Sequence, residues 1–142
     1  MTTIKTIYER AYLIDTCSLI SFYDRGDQNH NLTRDFLSSL QSEKIPIIIN
    51  NLIVAETYRR LLYDLNRSIA ISFIEELTPF FKSVEIEQND ILSAMKIIKK
   101  LDDQEITLTD AVSMAIMKKY HILKAFSYDF HFTLLGFIIE PP

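Results

Sequence analysis

A three-layer α/β/α sandwich around a mainly parallel sheet is the architecture this sequence predicts, and three observations lead to it. Short apolar runs alternate with longer amphipathic segments. The connections between runs are long enough for helices rather than hairpin turns, which implies parallel pairing with helices on both faces. No internal repeat, low-complexity tract or proline-rich linker divides the chain. Its 142 residues, 48 % hydrophobic and 24 % charged, read as one domain over residues 1–142 whose core needs neither disulfide nor structural metal.

The elements follow in order. Ala11–Asp15 is a brief apolar run ending in an acid, the first strand. Ser18–Tyr23 turns into a short helix, and the polar stretch Asp24–Asn31 is a loop. From Leu32 to Glu43, Leu32, Phe36, Leu37 and Leu40 recur at helical spacing, with Asn31 or Thr33 as caps. Ile45–Ile49 is β-branched and apolar, the second strand, with Pro46 near its start where a missing N–H matters least. Asn51 can cap a helix to Leu65 and Asn66 another to Leu77, which Thr78-Pro79 ends. Phe80–Ile86 is a third strand. Asn89 or Asp90 opens a helix to Leu101 with Ile91, Leu92, Met95 and Ile98 as its apolar stripe. After the polar loop Asp102–Thr107, Leu108–Tyr120 is helical, with Leu108, Val112, Ala115 and Ile116 on one face. Ile122–Phe126 is the fourth strand, and Gly136 precedes a last strand, Phe137–Glu140.

Composition removes several function classes. The chain has two glycines, Gly26 and Gly136, so no dinucleotide-binding turn, P-loop or serine-hydrolase elbow can be written. Cys17 is the single cysteine, which rules out an internal disulfide and a cysteine-based zinc site. It is compatible with a reducing compartment, and with no signal-like start or membrane-length apolar run the expectation is a cytoplasmic protein. Fifteen basic against 19 acidic residues give a net charge of −4. That balance argues against nucleic-acid binding by bulk charge, but not against an enzyme that meets phosphates through a metal ion.

In open parallel sheets ligands bind beyond the carboxyl ends of the strands, and four carboxylates are placed to reach that rim. Asp15 follows Tyr12-Leu13-Ile14, and Asp129 follows Ala125-Phe126-Ser127-Tyr128. Asp110 opens the helix before the fourth strand, beside the capping candidate Thr109. Glu56 stands amid Leu52-Ile53-Val54-Ala55, where an acid needs a reason. Like charges a few Å apart cannot all stay ionised, and a divalent cation with oxygen ligands resolves the conflict. Each acid also has an ordinary reading as a cap, turn former or exposed first-turn residue, and spacing alone leaves both readings open.

Taken together, Leu13-Ile14-Asp15-Thr16, Val54-Ala55-Glu56-Thr57, Leu108-Thr109-Asp110-Ala111 and Phe126–Phe132 resemble PIN domains, in that family's order, from about Tyr12 to Glu140. The likeness is greatest to the toxin subunits of VapBC-type toxin–antitoxin pairs. It implies Mg²⁺- or Mn²⁺-dependent cleavage of RNA, with Asp15, Glu56, Asp110 and Asp129 as the catalytic and metal-holding acids. It also implies that Thr16 and Ser127 are flanking hydroxyls, and it matches Asp103 to an acid of that loop in some members. Cys17 stands where many relatives carry Ser or Asn and reads as a small buried residue; His131 reads as a structural hydrogen bonder.

Several further expectations follow. Arg59 and Arg60 are candidates to guide the RNA backbone, with Arg59 favoured as the i, i+3 neighbour of Glu56, whereas Lys118 and Lys119 read as a solvated helix face. Toxin relatives pair with a small antitoxin and often form homodimers, and a groove near Ile20, Phe22 and Leu61-Leu62 is the expected seat for such a partner. Haloacid-dehalogenase-like and receiver folds fit poorly: Cys17 stands where the former wants a second acid, and the acid pair and lysine of the latter are missing. The rival from another class is a PIN-like RNA- or protein-binding module without nuclease activity.

Overall fold

Five short strands, β1 (Tyr12–Ile14), β2 (Ile47–Asn50), β3 (Lys82–Val84), β4 (Lys124–Phe126) and β5 (Ile138–Glu140), form one sheet in the computed structural model, which describes residues 8–142. The order is β3-β2-β1-β4-β5, and every neighbouring pair is parallel. Tyr12, Leu13 and Ile14 stand opposite Lys124, Ala125 and Phe126. The central strands β1 and β2 are buried along their whole length, as strands covered on both faces are, and so both read as unbroken apolar runs.

The connections are helical: α1 (Thr16–Tyr23) and α2 (His30–Ser42), then α3 (Asn51–Asp64) and α4 (Arg67–Ser72), then α5 (Gln88–Lys100) and α6 (Leu108–Tyr120). The chain steps outward from β1 through β2 to β3, then returns past β1 to β4. Right-handed crossovers running in opposite directions put their helices on opposite faces. Accordingly α1 packs on α2 and α3, while α5 packs along α6. The expected three layers are present, and the sheet is wholly parallel. Phe36 of α2 lies edge-on to Tyr12 of β1 at 5.6 Å and to Phe126 of β4 at 4.9 Å between ring centroids, clamping the two strands from one side.

Several local expectations are corrected. The α3 cap is Asn50, whose Oδ1 accepts from the Ile53 N–H at 3.0 Å, rather than Asn51. Asn66 caps α4 as expected, at 2.9 Å from the Ile69 N–H, but α4 ends at Ser72 and widens into a π-helical turn, Phe73–Leu77. The cap of α5 is Glu87; Asp90 lies inside the first turn, accepting the Glu87 N–H at 2.8 Å. The buried row of α5 is Ala94 and Ile97; of the expected stripe, Ile91 and Ile98 pack against the core, while Leu92 and Met95 are 53 % and 40 % exposed. Apolar residues lie on two adjoining rows of this helix, and the row carrying the small Ala94 is the one that approaches α6. In α6, Ala111–Met117 are all buried while Leu108 is exposed, so this helix is a core element on nearly every side. The 3₁₀ segment Phe130–Leu135, missing from the sequence reading, precedes β5 and ends at Gly136 with φ +86°, a left-handed conformation that favours glycine.

Candidate metal centre

The winding order of the strands reverses between β1 and β4, and a crevice opens there at the carboxyl ends of the strands. Asp15 is the residue after β1, its N–H donating to the Phe126 carbonyl of β4 at 3.1 Å. It occupies the cap position of α1 with extended backbone, but its carboxylate makes no capping bond. Asp129 enters the crevice after β4, where its Oδ1 accepts the His131 N–H at 2.9 Å. Asp110 is held in the first turn of α6, its N–H donating to Thr107 Oγ1 at 3.2 Å; Thr107, rather than Thr109, is the cap. Carboxylate oxygens of Asp15, Asp110 and Asp129 all lie within 4.8 Å of one another. Glu56, on α3, lines the same cleft of about 120 Å³ together with Thr16, Cys17, Arg60 and Thr107. The fold thus brings all four predicted acids to one cleft, three as a tight triad and Glu56 on the wall.

The triad is electrostatically strained. Asp15 is 3 % exposed, and burial raises its pKa; hydrogen bonds from Cys17, Ser127 and the Thr16 backbone oppose this, while the Asp129 charge adds to it. Its Oδ2 accepts from Ser127 Oγ at 3.0 Å and from Cys17 Sγ at 3.2 Å. Ser127 Oγ also accepts the Asp129 N–H at 3.0 Å, so one buried hydroxyl sets the position of two acids. Asp110 is pushed up to about 7, first by burial and then by the charges of Asp15 and Asp129, with Glu56 adding less and the Thr107 bond opposing. Burial, followed by the Asp15 charge, pushes the Cys17 thiol up to about 12. Cys17 therefore stays protonated and acts as a donor to Asp15 rather than as a nucleophile. His131 Nδ1 is 2.7 Å from Asp129 Oδ1, and its ring stacks on Phe130 at 4.4 Å. With ring and backbone both on Asp129, His131 fixes that carboxylate.

The residues present fit a hard divalent cation. The triad offers only oxygen donors, the set that Mg²⁺ and Mn²⁺ prefer. Thr16 Oγ1, on the cleft wall, is buried without a hydrogen-bond partner among the described residues. Such an orphan is worth about 1–3 kcal/mol of lost solvation, and a hydrated ion held in the cleft would give it a partner. Thr57 Oγ1 is also unpartnered; nothing in the structure explains that one.

Other expectations are redirected. Arg60, not Arg59, lines the cleft. A helix advances about 100° per residue, so i+4 from Glu56 lies nearer its face than i+3. Arg59 instead stacks over Tyr63 at 6.0 Å. Lys118 and Lys119 are exposed and line a groove between α5 and α6, and Asp103 is exposed and does not line the cleft. Ile20 and Leu61 are core residues, and Phe22 and Leu62 pack against that core, so Ile20 and Leu61 present no surface to a partner. The sequence reading did not single out Thr107. Its signal was available as a Thr three residues before Asp110, the N-cap spacing.

The sequence matches the PIN domain family over residues 12–138. No curated protein matches it significantly. Among solved structures, VapC20 of Mycobacterium tuberculosis, described as a sarcin–ricin-loop-cleaving toxin, is similar with TM-score 0.80 and 23 % identity, over 92 % of this chain and 99 % of that one. FitAcB of Neisseria gonorrhoeae is similar with TM-score 0.71 and 18 % identity, over 92 % and 97 %. VapBC2 of Rickettsia felis, bound to a DNA fragment from their promoter, gives TM-score 0.71 and 11 % identity, over 92 % and 97 %. At these identities the likeness is one of fold, and it agrees with the three layers seen here.

Proposed function

The chain belongs to the PIN domain family, and from that premise we propose that residues 1–142 act as one metal-dependent endoribonuclease domain, the toxin of a toxin–antitoxin pair. The observation that carries the metal-dependent chemistry is the cluster of Asp15, Asp110 and Asp129, with carboxylate oxygens within 4.8 Å of one another. In this reading those three acids hold Mg²⁺ or Mn²⁺, which when bound supplies Lewis-acid activation of water and a counter-charge for the phosphodiester. Glu56, on the cleft wall, takes the proton of the attacking water as general base. Ser127 and Cys17 hold Asp15 as an acceptor, and His131 and Ser127 hold Asp129. Neighbours of this kind keep ligand carboxylates oriented and deprotonated. Arg60, one turn beyond Glu56 on the same face of α3, guides the RNA backbone at the cleft. RNA is the substrate class by extension from VapC20, described as cleaving the sarcin–ricin loop. A small antitoxin and a second copy of the chain are the protein partners this reading supplies.

Cleavage of end-labelled RNA tests it, with wild type and Asp15→Asn compared in Mg²⁺, in Mn²⁺ and in EDTA. The expected result is metal-dependent cutting by wild type that Asp15→Asn loses. No cutting by wild type freed of any co-purifying small protein would overturn the nuclease and leave a binding module. Equal cutting by both proteins would overturn the role of Asp15.

A further inference from the structure

The α5–α6 hairpin carries a second concave surface that the acid cleft does not use. It is a groove of about 420 Å³ with Ile97 and Ala115 among its floor residues and Lys96, Lys100, Lys118 and Lys119 on its walls. The two helices run antiparallel: Lys119 Nζ, in the last turn of α6, meets Asp90 Oδ1, in the first turn of α5, at 3.3 Å. Lys100, the last residue of α5, therefore comes level with the first turn of α6, where Asp110 stands. The Lys100 end of the groove is thus level with the rim that carries the acids. From Asp110 to Lys118 the helix rises about 12 Å, at about 1.5 Å per residue.

Helix dipoles account for part of this charge, since Lys99, Lys100, Lys118 and Lys119 sit in last turns. They do not account for Lys96 in the third turn of α5, nor for lysines facing one another across a single groove. Among the described residues, Lys119 is held by Asp90 and Glu87, whereas Lys96, Lys100 and Lys118 form no ion pair. Three unneutralised ammonium groups on one groove form a local excess in a chain of net charge −4. The acid cleft, by contrast, repels a polyanion, with Arg60 as the one basic residue on its wall among the described residues.

We infer that the α5–α6 groove is a phosphate track that holds the backbone of single-stranded RNA and feeds it toward the acid cleft; the inference rests on the nuclease reading above. A basic groove that follows the backbone is the usual means of gripping a single strand. Among the described residues no aromatic ring lines this one, so it stacks no bases and grips without sequence preference. Cleavage specificity is then left to the residues around the cleft.

The test is binding of a labelled oligouridine in EDTA across a salt series, with wild type, the triple variant Lys96→Ala/Lys100→Ala/Lys118→Ala, and the control Lys44→Ala/Lys82→Ala. The control lysines line a different groove. Each phosphate contact on a single strand contributes about 0.7 to the slope of log K against log salt. Loss of three contacts therefore lowers the slope by about 2 and weakens binding at low salt at least about tenfold, while the control changes little. An unchanged slope in the triple variant, or an equal fall in the control, would overturn the track. So would unchanged RNA binding together with lost binding of polyglutamate, which would assign the groove to an acidic protein. A parallel cleavage assay with Mn²⁺ separates the two readings. Wild type that does not cut but shows the slope difference retains the track and loses the nuclease. Wild type that cuts with no slope difference retains the nuclease and loses the track.

Discussion

Two buried aspartates in this chain have opposite surroundings. Asp90 is 4 % exposed and Asp15 is 3 % exposed. Asp90 accepts the Glu87 N–H at 2.8 Å and the Lys119 ammonium at 3.3 Å, so a cation from the chain itself meets its charge. Among the described residues Asp15 accepts from neutral donors, Ser127, Cys17 and the Thr16 backbone, and its charged neighbours in the triad are two more carboxylates. A buried acid with an internal cation closes a helix end and ties α5 to α6. A buried acid among other acids is a site under strain that an external cation relieves. The same residue type at the same depth is neutralised in one place and left without a counter-charge in the other, and the partner charge makes the difference.

The largest effect that sharpens this contrast is expected from Asp15→Asn. It lowers RNA cleavage at least about 100-fold, since loss of even an orienting neighbour of a ligand is worth about 10–100-fold. The same change removes a like charge, so the metal-free variant melts higher than wild type in a calorimetric scan. Asp90→Asn has the reverse signature. It lowers stability by about 1–2 kcal/mol, through a lost charge-assisted bond at a half-exposed lysine, while cleavage at low temperature stays near wild type. If both variants shifted the melting temperature in the same direction, the contrast would fail.

The third effect depends on pH. Burial, followed by the charges of Asp15 and Asp129, pushes the Asp110 carboxyl from its ordinary 3.8 up to about 7 in the folded state. The native state therefore holds a proton between those values that the unfolded chain has released, and the stability tied to this group is lost as pH rises through about 7. Asp110→Asn has no such titration, so in metal-free protein its stability relative to wild type increases as pH rises across that window. Chemical denaturation at a series of pH values reads the difference, and parallel curves would contradict it. The smallest effect concerns the cleft's own basic residue. Arg60→Ala should raise KM for RNA several-fold and leave kcat within about twofold, as loss of uniform binding does. Arg59→Ala, stacked on Tyr63, should change neither.

The fold was legible because its central strands are buried on both faces, so β1, β2 and β4 stand out as apolar runs between amphipathic helices. The acids were legible for a related reason: Asp15 and Asp129 follow runs that must end at one rim of a parallel sheet. What stayed hidden lies at the scale of one or two residues. Asn50 and Asn51 are equivalent as sequence, and only the end of β2 selects the first as the cap. The same holds for Thr107 against Thr109. Leu92 and Met95 extend an apolar row that is wide in sequence, and packing on α6 chooses the row carrying Ala94. Arg60 displaced Arg59 because the orientation of α3 relative to the cleft depends on tertiary packing. The two contacts of His131 on Asp129 depend on a 3₁₀ turn that no periodicity announces.

The most direct test of the account is calorimetric titration of Mn²⁺ into metal-free wild type and Asp15→Asn, at a pH above the value of about 7 to which Asp110 is pushed. Wild type should bind saturably, more weakly as pH falls below that value because the ion must displace the Asp110 proton, and Asp15→Asn should not bind. Failure of wild type to bind Mn²⁺, or equal binding by Asp15→Asn, would contradict it.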